Sequence, residues 1–320
     1  MSKLLRIAVV GCGRMGKVRA AAAAEFGANV VCVCDANLAL ANEVSRSLPE
    51  CKAIESPAQL EWSSLDAVFI CTPPSERGPV ELAAIEHGVP FLVEKPAGLS
   101  AESVSNIAQA LAAKPMLTAV GYMNRYRKSV QHVRSWAKQH DVLGMSTDWL
   151  VGMYRVPWWS QKNGSGGPVN EQATHLIDLA RYLVGEIESV QAMAQPVPTQ
   201  PDLVGSASIN LRFVGGQVCS MLYSCLAKEK MIRLHVYSQS EELALADWDF
   251  RLEGDESTHV EYANRNEIFF IETNAFLKAV ETEIRVGILS SFEDALKTQR
   301  VVDAIHCAIE SGETVRLNST

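Results

Sequence analysis

Short apolar runs alternate with longer helical segments along the first 120 residues of the chain. The runs are apolar at almost every position, which is typical of strands buried on both faces of a parallel sheet. The predicted strands are Leu5–Val10, Val30–Cys34, Ala53–Ile54, Ala67–Cys71, Phe91–Val93 and Leu117–Val120. The predicted helices between them are Arg14–Phe26, Asn37–Ser47, Arg77–His87 and Ala101–Ala113. This repetition of strand and helix predicts a doubly wound α/β domain.

The pattern changes after about residue 122. Polar and apolar residues alternate over Ser206–Phe213, which predicts a strand with one buried face. A Gly-Gly pair at 215–216 predicts a turn into a strand at Gln217–Leu226, and another strand follows at Met231–Ser238. Consecutive strands joined by short turns predict an antiparallel sheet. The predicted helices of this half are Val169–Leu183, about Glu267–Thr282, and Phe292–Ser311.

Charge and cysteine usage narrow the class of protein. The 320 residues carry a net charge of −8 with no run of Lys or Arg, so we expect no nucleic-acid binding, which needs a basic surface. The apolar stretch Ile7–Cys12 is too short for a signal peptide or a membrane span, so we also expect no membrane association. The eight cysteines show neither a C-x-x-C pair nor metal-ligand spacing. We therefore expect a cytoplasmic protein without a metal site.

A glycine motif follows the first predicted strand. Gly11, Gly13 and Gly16 have the G-x-G-x-x-G spacing and open the first helix, whose free N–H groups suit a pyrophosphate. Asp35 ends the second strand, where a carboxylate accepts hydrogen bonds from ribose hydroxyls and repels a 2′-phosphate. Glycines at this spacing can also be turn residues alone, but the strand, helix and acid together favour a dinucleotide site. The sequence predicts NAD, with NADP less favoured.

Two further segments stand at the ends of predicted strands. Cys71–Pro74 follows the fourth strand and Glu94–Pro96 the fifth, and ligands of open parallel sheets bind at such carboxyl ends. Both segments are therefore expected to line the cofactor crevice. By position alone, Lys95 is equally well explained as a solvated lysine at a strand exit.

The predicted helix Val169–Leu183 carries a candidate proton-transfer group. Glu171 and His175 are four residues apart, so they share one helix face, and Asp178 is adjacent. A carboxylate beside an imidazole suits proton transfer with a substrate hydroxyl. In the alternative interpretation Asp178 pairs with Arg181 and His175 packs in the core, and for an arbitrary histidine that alternative is favoured.

Aromatic and cationic residues before this helix suggest substrate contacts. Trp158 and Trp159 belong to a loop, residues 154–159, and could stack on a sugar ring or fill a domain or subunit junction. Four cations could meet a phosphate or carboxylate, but surface ion pairs are favoured for them. These cations are Arg125, Arg127, Lys128 and Arg155.

In this order the motifs resemble those of the glucose–fructose oxidoreductase and inositol dehydrogenase family (Gfo/Idh/MocA). The resemblance covers nearly the whole chain. The segments that carry it are Gly11–Gly16, Asp35, Cys71–Pro74, Glu94–Pro96, Gly121–Tyr126, Gly166–Asp178 and Phe292–Gly312. The Glu-Lys-Pro segment together with the helix histidine is more specific than the glycine spacing. This combination favours a catalytic role for Lys95 and His175 over a solvated lysine and a core histidine.

The resemblance implies a fold and a role for each site residue. The fold is an N-terminal Rossmann domain, residues 1–122, and a C-terminal α/β domain, residues 123–320, with a large open, predominantly antiparallel sheet. The last helix can pack back on the first domain. Lys95 would hydrogen-bond the reacting oxygen, and His175 would take the hydroxyl proton in oxidation or return it in reduction. Glu171, the orienting carboxylate, stands where the family often has an aspartate.

The expected site residues fall into two sets. The predicted cofactor-binding residues are Gly11, Gly13, Arg14, Met15, Gly16, Asp35, Thr72, Pro73, Glu94, Lys95, Met123 and Asn124. The predicted substrate-binding residues are Lys95, Asn124, Arg155, Trp158, Trp159, Glu171 and His175. Lys95, His175 and Glu171 are the predicted catalytic residues.

We therefore expect an NAD-dependent oxidoreductase that transfers hydride between nicotinamide and a secondary hydroxyl or ketone of a sugar, inositol or related polyol. One alternative is a reductase of an imine, enone or unusual sugar ketone. Another is a non-catalytic sensor of NAD or a sugar on the same fold, but the presence of both Lys95 and His175 favours an enzyme. The amphipathic second sheet predicts a homodimer or homotetramer formed through its open face.

Overall fold

The computed structural model describes residues 4–253 and 267–317 of the chain. These residues form two compact units, which are described one at a time. The first comprises 4–98, 102–123 and 267–296, and the second comprises 99–101, 124–253 and 297–317. The domain boundary between residues 122 and 123 stays a prediction, and the described first unit also takes in residues 267–296.

Six parallel strands form the sheet of the first unit. They are β1 (Arg6–Val10), β2 (Asn29–Cys34), β3 (Lys52–Ile54), β4 (Ala67–Ile70), β5 (Phe91–Val93) and β6 (Thr118–Val120). The helices between them are α1 (Arg14–Phe26), α2 (Leu38–Ser45), α3 (Pro79–His87) and α4 (Ala101–Ala113). The strand order β3-β2-β1-β4-β5-β6, with every pairing parallel, confirms the predicted Rossmann arrangement.

The second unit is built on an eight-stranded sheet in the described part of the chain. Its strands are β7 (Val142–Gly152), β8 (Ile187–Val197), β9 (Gln200–Phe213), β10 (Val218–Ser224), β11 (Leu226–Ser238), β12 (Glu242–Ala246), β13 (Arg251–Leu252) and β14 (Val315–Arg316). Its helices before β8 are α5 (Lys128–Ala137), α6 (Lys162–Ser165) and α7 (Thr174–Leu183). In the order β13-β12-β11-β7-β10-β9-β8-β14 only β7 and β10 pair in parallel, which confirms a predominantly antiparallel sheet.

One face of this second sheet is packed and the other is exposed. Val130 of α5 and Leu176 of α7 share a hydrophobic core with Ile209 on the buried face. Along β10 every second residue is exposed, and Val218 and Leu222 point away from that core with 56% and 45% of their surface accessible. Every second residue is also buried along β9, which confirms the alternation predicted for Ser206–Phe213.

Of the last two helices, α8 belongs to the first unit and α9 is divided between the two units. α8 (Glu267–Thr282) packs on α1, and the ring of its Phe276 lies 5.7 Å from that of Phe69 on β4. α9 (Phe292–Ser311) begins in the first unit, and its residues from 297 onward belong to the second. Across the described ranges 4–253 and 267–317, none of the helices has the length and apolar composition needed to cross a membrane.

Some elements differ from the sequence prediction. The sequence patterns did not predict strands β7, β8, β12, β13 and β14 or helices α5 and α6. In β7 the buried Thr147, whose hydroxyl donates to the Arg233 carbonyl at 2.7 Å, interrupts the apolar alternation. The outer half of β8 is exposed at four consecutive residues, 193–196, so it has no periodic pattern. The predicted helix Val169–Leu183 begins with a π-helical turn, Val169–Ala173, before α7.

Candidate active site

The chain turns sharply between β1 and α1 at its glycine motif. Gly11 has φ of +92°, and a Cβ atom on it would lie 2.6 Å from the Cys71 carbonyl carbon. A Cβ atom on Gly16 would collide with the Gly11 carbonyl oxygen, whereas one on Gly13 would meet no atom within 4 Å. α1 begins after Gly13 without a side-chain cap, so its first N–H groups are available to an anion. The turn thus fits a pyrophosphate beside Gly13.

Asp35 is tied to this turn by backbone hydrogen bonds. Its Oδ2 accepts from the Cys12 N–H at 2.7 Å and its Oδ1 from the Asn37 N–H at 2.8 Å. Each oxygen keeps a lone pair for a ribose hydroxyl. Burial and the charge of Asp35 raise the pKa of the Cys12 thiol to about 12, so the thiol stays neutral. Thr72 Oγ1 is buried without a hydrogen-bond partner among the described residues. These groups fit a dinucleotide such as NAD.

The carboxylate of Glu94 is held by a buried arginine that the sequence analysis missed. Arg19 on α1 is fully buried and donates from Nε to Glu94 at 2.8 Å and from Nη2 to Glu272 of α8 at 2.5 Å. Its Nη1 donates to Thr273 Oγ1 at 2.8 Å and to the Phe269 carbonyl at 3.3 Å. Burial opposes its charge, but Glu94 and Glu272 raise the pKa of Arg19 above its ordinary value. The available signal was the position of Arg19 directly before the alanine run of α1.

Lys95 directly follows this fixed carboxylate at the end of β5. Its side chain is half-buried, so it is not a fully solvated lysine. Gly121, after β6, leaves room for Glu94, because a Cβ atom there would lie 2.8 Å from Glu94 Oε2. The segment that carries Lys95 is therefore braced from α1, α8 and β6.

Side-chain hydrogen bonds anchor the π-helical turn Val169–Ala173. Asn170 donates to the Ser165 carbonyl and accepts from Gln299, both at 2.8 Å. Gln172 accepts from the hydroxyl of Tyr223 at 2.8 Å. Such turns recur at functional sites in proteins. Glu171 lies in this π-helical turn and His175 lies four residues later in α7, and both residues are buried.

Trp159 is a hydrogen-bond partner of Glu171. The indole Nε1 donates to Glu171 Oε2 at 3.0 Å, and both side chains are buried, Trp159 completely. The buried Trp159 therefore orients the carboxylate. Trp158 is half-buried and Arg155 is exposed, and the substrate contacts of all three loop residues stay predictions.

The His175 imidazole is fixed by stacking. Its ring lies 5.5 Å from that of Trp149 on β7, with 21° between the planes, and only 3% of the His175 surface is exposed. Trp149 in turn contacts Trp248, with the ring centres 5.8 Å apart. The sequence analysis missed Trp149, because no local pattern joins residues 26 positions apart.

Asp178 forms a buried ion pair that sequence spacing could not show. It accepts from Arg125 Nε at 2.8 Å and from Arg125 Nη2 at 2.6 Å, and Arg181 donates twice to Glu186 at 2.9 Å. The expectation of surface ion pairs is wrong for Arg125 and Arg127, each of which is 3% exposed. Arg125 lies in the turn at 123–126 and Arg127 directly after it, and both are buried, whereas Lys128 is exposed.

The predicted residues are thus divided between the two units. The first unit holds the glycine motif, Asp35, Thr72, Pro73, Glu94, Lys95 and Met123. The second holds Asn124, Arg155, Trp158, Trp159, Glu171 and His175. Arg14 is exposed at the start of α1, and Met15 is half-buried. In the described ranges no group of three His, Cys, Asp or Glu residues is arranged to hold a metal ion.

Comparison with known families agrees with this geometry. Residues 5–122 match a model described as "Oxidoreductase family, NAD-binding Rossmann fold", and residues 132–243 match the "GFO/IDH/MocA C-terminal domain". The chain belongs to the GFO/IDH/MocA oxidoreductase family. The two matches lie in the two halves of the chain, and both name the family that the sequence motifs resemble.

Its curated relatives include inositol dehydrogenases. Inositol 2-dehydrogenase 4 of Saccharopolyspora erythraea is 29% identical over 206 residues, which are 61% of this chain and 58% of the relative. The scyllo-inositol 2-dehydrogenase (NAD(+)) of Bacillus subtilis is 32% identical over 197 residues, 59% and 57% of the two chains. The match therefore spans less than two thirds of these relatives.

Among solved structures, levoglucosan dehydrogenase in complex with NADH and L-sorbose has a TM-score of 0.88. It is 20% identical and the match covers 99% of both chains. At 20% identity, this similarity shows that the chain and levoglucosan dehydrogenase have the same fold.

Proposed function

We propose that this family member is an NAD-dependent oxidoreductase that transfers hydride between the nicotinamide and a secondary hydroxyl or ketone of a sugar, inositol or related polyol. The observation that carries the proposal is the setting of His175, a buried imidazole with a fixed ring plane, four residues after an oriented carboxylate. The named inositol dehydrogenases support the substrate class.

The glycine motif, Asp35 and Thr72 would hold NAD, with Arg14, Met15, Pro73, Glu94, Lys95, Met123 and Asn124 as further proposed contacts. When bound, NAD supplies the acceptor for the hydride that leaves the carbinol carbon. Lys95 donates a hydrogen bond to the reacting oxygen and stabilises the charge that develops there. The imidazole of His175 takes the hydroxyl proton, and Glu171, held by Trp159, stabilises the imidazolium. In reduction these proton movements reverse.

Oxidation of a polyol panel by wild-type protein and NAD⁺ tests the proposal. We expect nicotinamide absorbance to rise with an inositol, an aldose or an amino sugar, and to stop rising when Lys95 is replaced by alanine. NADH binding without turnover on any panel member would contradict the proposed dehydrogenase. That result would favour a reductase of other carbonyl or imine groups or a sensor.

Replacing Asp35 with asparagine should weaken the preference for NAD over NADP about ten- to a hundredfold. The reason is that a hydrogen bond to a charged group contributes about 1.5–3 kcal/mol. The amide also removes the charge that repels a 2′-phosphate, while its oxygen still accepts one backbone N–H. Titration of NADH and NADPH by fluorescence measures the ratio of the two dissociation constants. An unchanged ratio would contradict the role of Asp35.

We also propose that two copies of the chain pair through the exposed face of the second sheet. Met193 on β8 and Leu222 on β10 have 76% and 45% of their surface exposed, and each is in register with Ser208 on β9. The same face contains a cavity of about 730 Å³ lined by residues that include Gln191, Asn210 and Ser220. Apolar side chains on an exposed sheet favour a self-complementary contact.

A Leu222→Glu variant should therefore have a lower mass in size-exclusion chromatography with light scattering. Leu82→Glu is the matched control, since Leu82 is 41% exposed on α3 of the first unit. A Leu222→Glu variant that is still multimeric, with the wild-type mass, would contradict the interface.

We further propose a cytoplasmic location for the protein. All eight of its cysteines are free thiols, and the cytoplasm keeps thiols reduced.

A further inference from the structure

Arg127 is a buried cation with incomplete pairing. Only 3% of it is exposed, and its Nη1 lies 3.8 Å from Asp249 Oδ1 and 3.4 Å from the Asp249 carbonyl oxygen. Its Nη2 is buried without a hydrogen-bond partner among the residues described. Burial lowers the pKa of Arg127 to about 10, although Asp249 opposes this. Arg125, by contrast, forms two short hydrogen bonds to Asp178. Arg127 therefore adds little to stability, because a poorly paired buried charge is costly.

Among the described residues, the shortest hydrogen bond of the Arg127 guanidinium is to Asn124. Its Nε donates to Asn124 Oδ1 at 2.9 Å. A guanidinium has donors only, so the amide atom that faces it must be the oxygen, and the orientation of Asn124 is decided by chemistry. The NH₂ group of Asn124 is consequently turned away from Arg127. Asn124 itself is 3% exposed, which limits other orientations of its side chain.

We propose that Arg127 is a positioning residue that fixes the Asn124 amide so that its NH₂ group donates to an oxygen of the sugar or polyol substrate. This inference rests on the proposed function, in which Asn124 contacts substrate. An NH₂ group has two donors and no acceptor. The substrate atom at this position is therefore an oxygen with a free lone pair, in a hydroxyl, carbonyl, ring ether or carboxylate. A protonated amine is excluded there because it has no lone pair.

Two substitutions separate the parts of this arrangement. Arg127→Met removes the group that orients the amide, and Asn124→Asp keeps an acceptor for Arg127 but replaces the NH₂ donors with an oxygen. We expect each to raise the KM for the polyol about five- to tenfold, the size of one lost hydrogen bond. In Arg127→Met the kcat and the Kd of NADH should change little, because Arg127 is not among the proposed contacts of either ligand. Arg134→Met is the matched control on α5, where Arg134 stacks on the Tyr182 ring at 3.8 Å, and it should leave KM unchanged.

If Arg127 only stabilised the fold, Arg127→Met would have a lower melting temperature than wild type and an unchanged KM. We expect the melting temperature to be equal or higher, because an apolar side chain of similar length replaces a poorly paired buried charge. A KM within twofold of wild type in both variants would overturn the proposal.

Hydrogen exchange of the Arg127 Nε–H, followed by NMR, tests the orientation without turnover. We expect slow exchange in wild type and in Asn124→Asp, and fast exchange in Asn124→Ala. Equal exchange rates in wild type and Asn124→Ala would overturn the proposal. If the wild type binds NADH but oxidises no polyol, the proposed function fails, and these exchange rates still decide whether Arg127 orients Asn124.

Discussion

We expect the substitution of His175 by alanine to lower kcat about 10²- to 10⁴-fold, since a positioned proton-transfer group contributes that much to an enzymatic rate. The affinity for NADH stays unchanged, because the glycine motif and Asp35 belong to the first unit, which has its own core. Steady-state kinetics and NADH fluorescence measure the two quantities separately.

His140→Ala is a matched control for this substitution. His140 is also stacked on a tryptophan of the second unit, with its ring 4.5 Å from that of Trp136 and 19° between the planes. The control removes an equivalent ring contact and should keep the wild-type kcat. Equal kcat values for His175→Ala and wild type would remove His175 from the mechanism.

We expect the substitution of Arg19 by methionine to lower the free energy of unfolding of the first unit by about 3–5 kcal/mol. Loss of one partner of a buried ion pair leaves uncompensated charge, here the carboxylates of Glu94 and Glu272. Burial of these two carboxylates and their mutual repulsion are then no longer offset by the guanidinium.

Hydrogen exchange of α1 and α8 amides reports the stability of the first unit alone. The double variant Arg19→Met, Glu272→Met leaves one buried carboxylate instead of two, so it should recover part of the lost stability. A single variant as stable as wild type would show that Arg19 does not hold Glu94. A double variant less stable than the single one would show that the two carboxylates do not repel each other.

Local patterns predicted the first unit well. β1 was expected at Leu5–Val10 and is observed at Arg6–Val10, because the apolar run is buried on both sides. The alternating pattern also located β9, and the Gly-Gly turn after it located β10. It did not locate β7, because a tertiary hydrogen bond lets Thr147 occupy a buried position.

The candidate site was predicted in its residues but not in their partners. His175 and Glu171 follow from spacing along one helix and from the family resemblance. Their neighbours Trp149 and Trp159 come from distant positions and are joined to them only by folding. The burial of Arg125 likewise depends on Asp178, 53 residues away, and no local pattern distinguishes it from a surface arginine.

Direct transfer of deuterium from the substrate to the nicotinamide tests the central claim most directly. Wild-type protein would be incubated with NAD⁺ and with myo-inositol or D-glucose carrying deuterium on every carbon, and the reduced cofactor would be analysed by mass spectrometry. We expect one deuterium per reduced nicotinamide, and none with Lys95→Ala. Reduced cofactor without deuterium, or deuterium transfer unaffected by Lys95→Ala, would contradict the proposed mechanism.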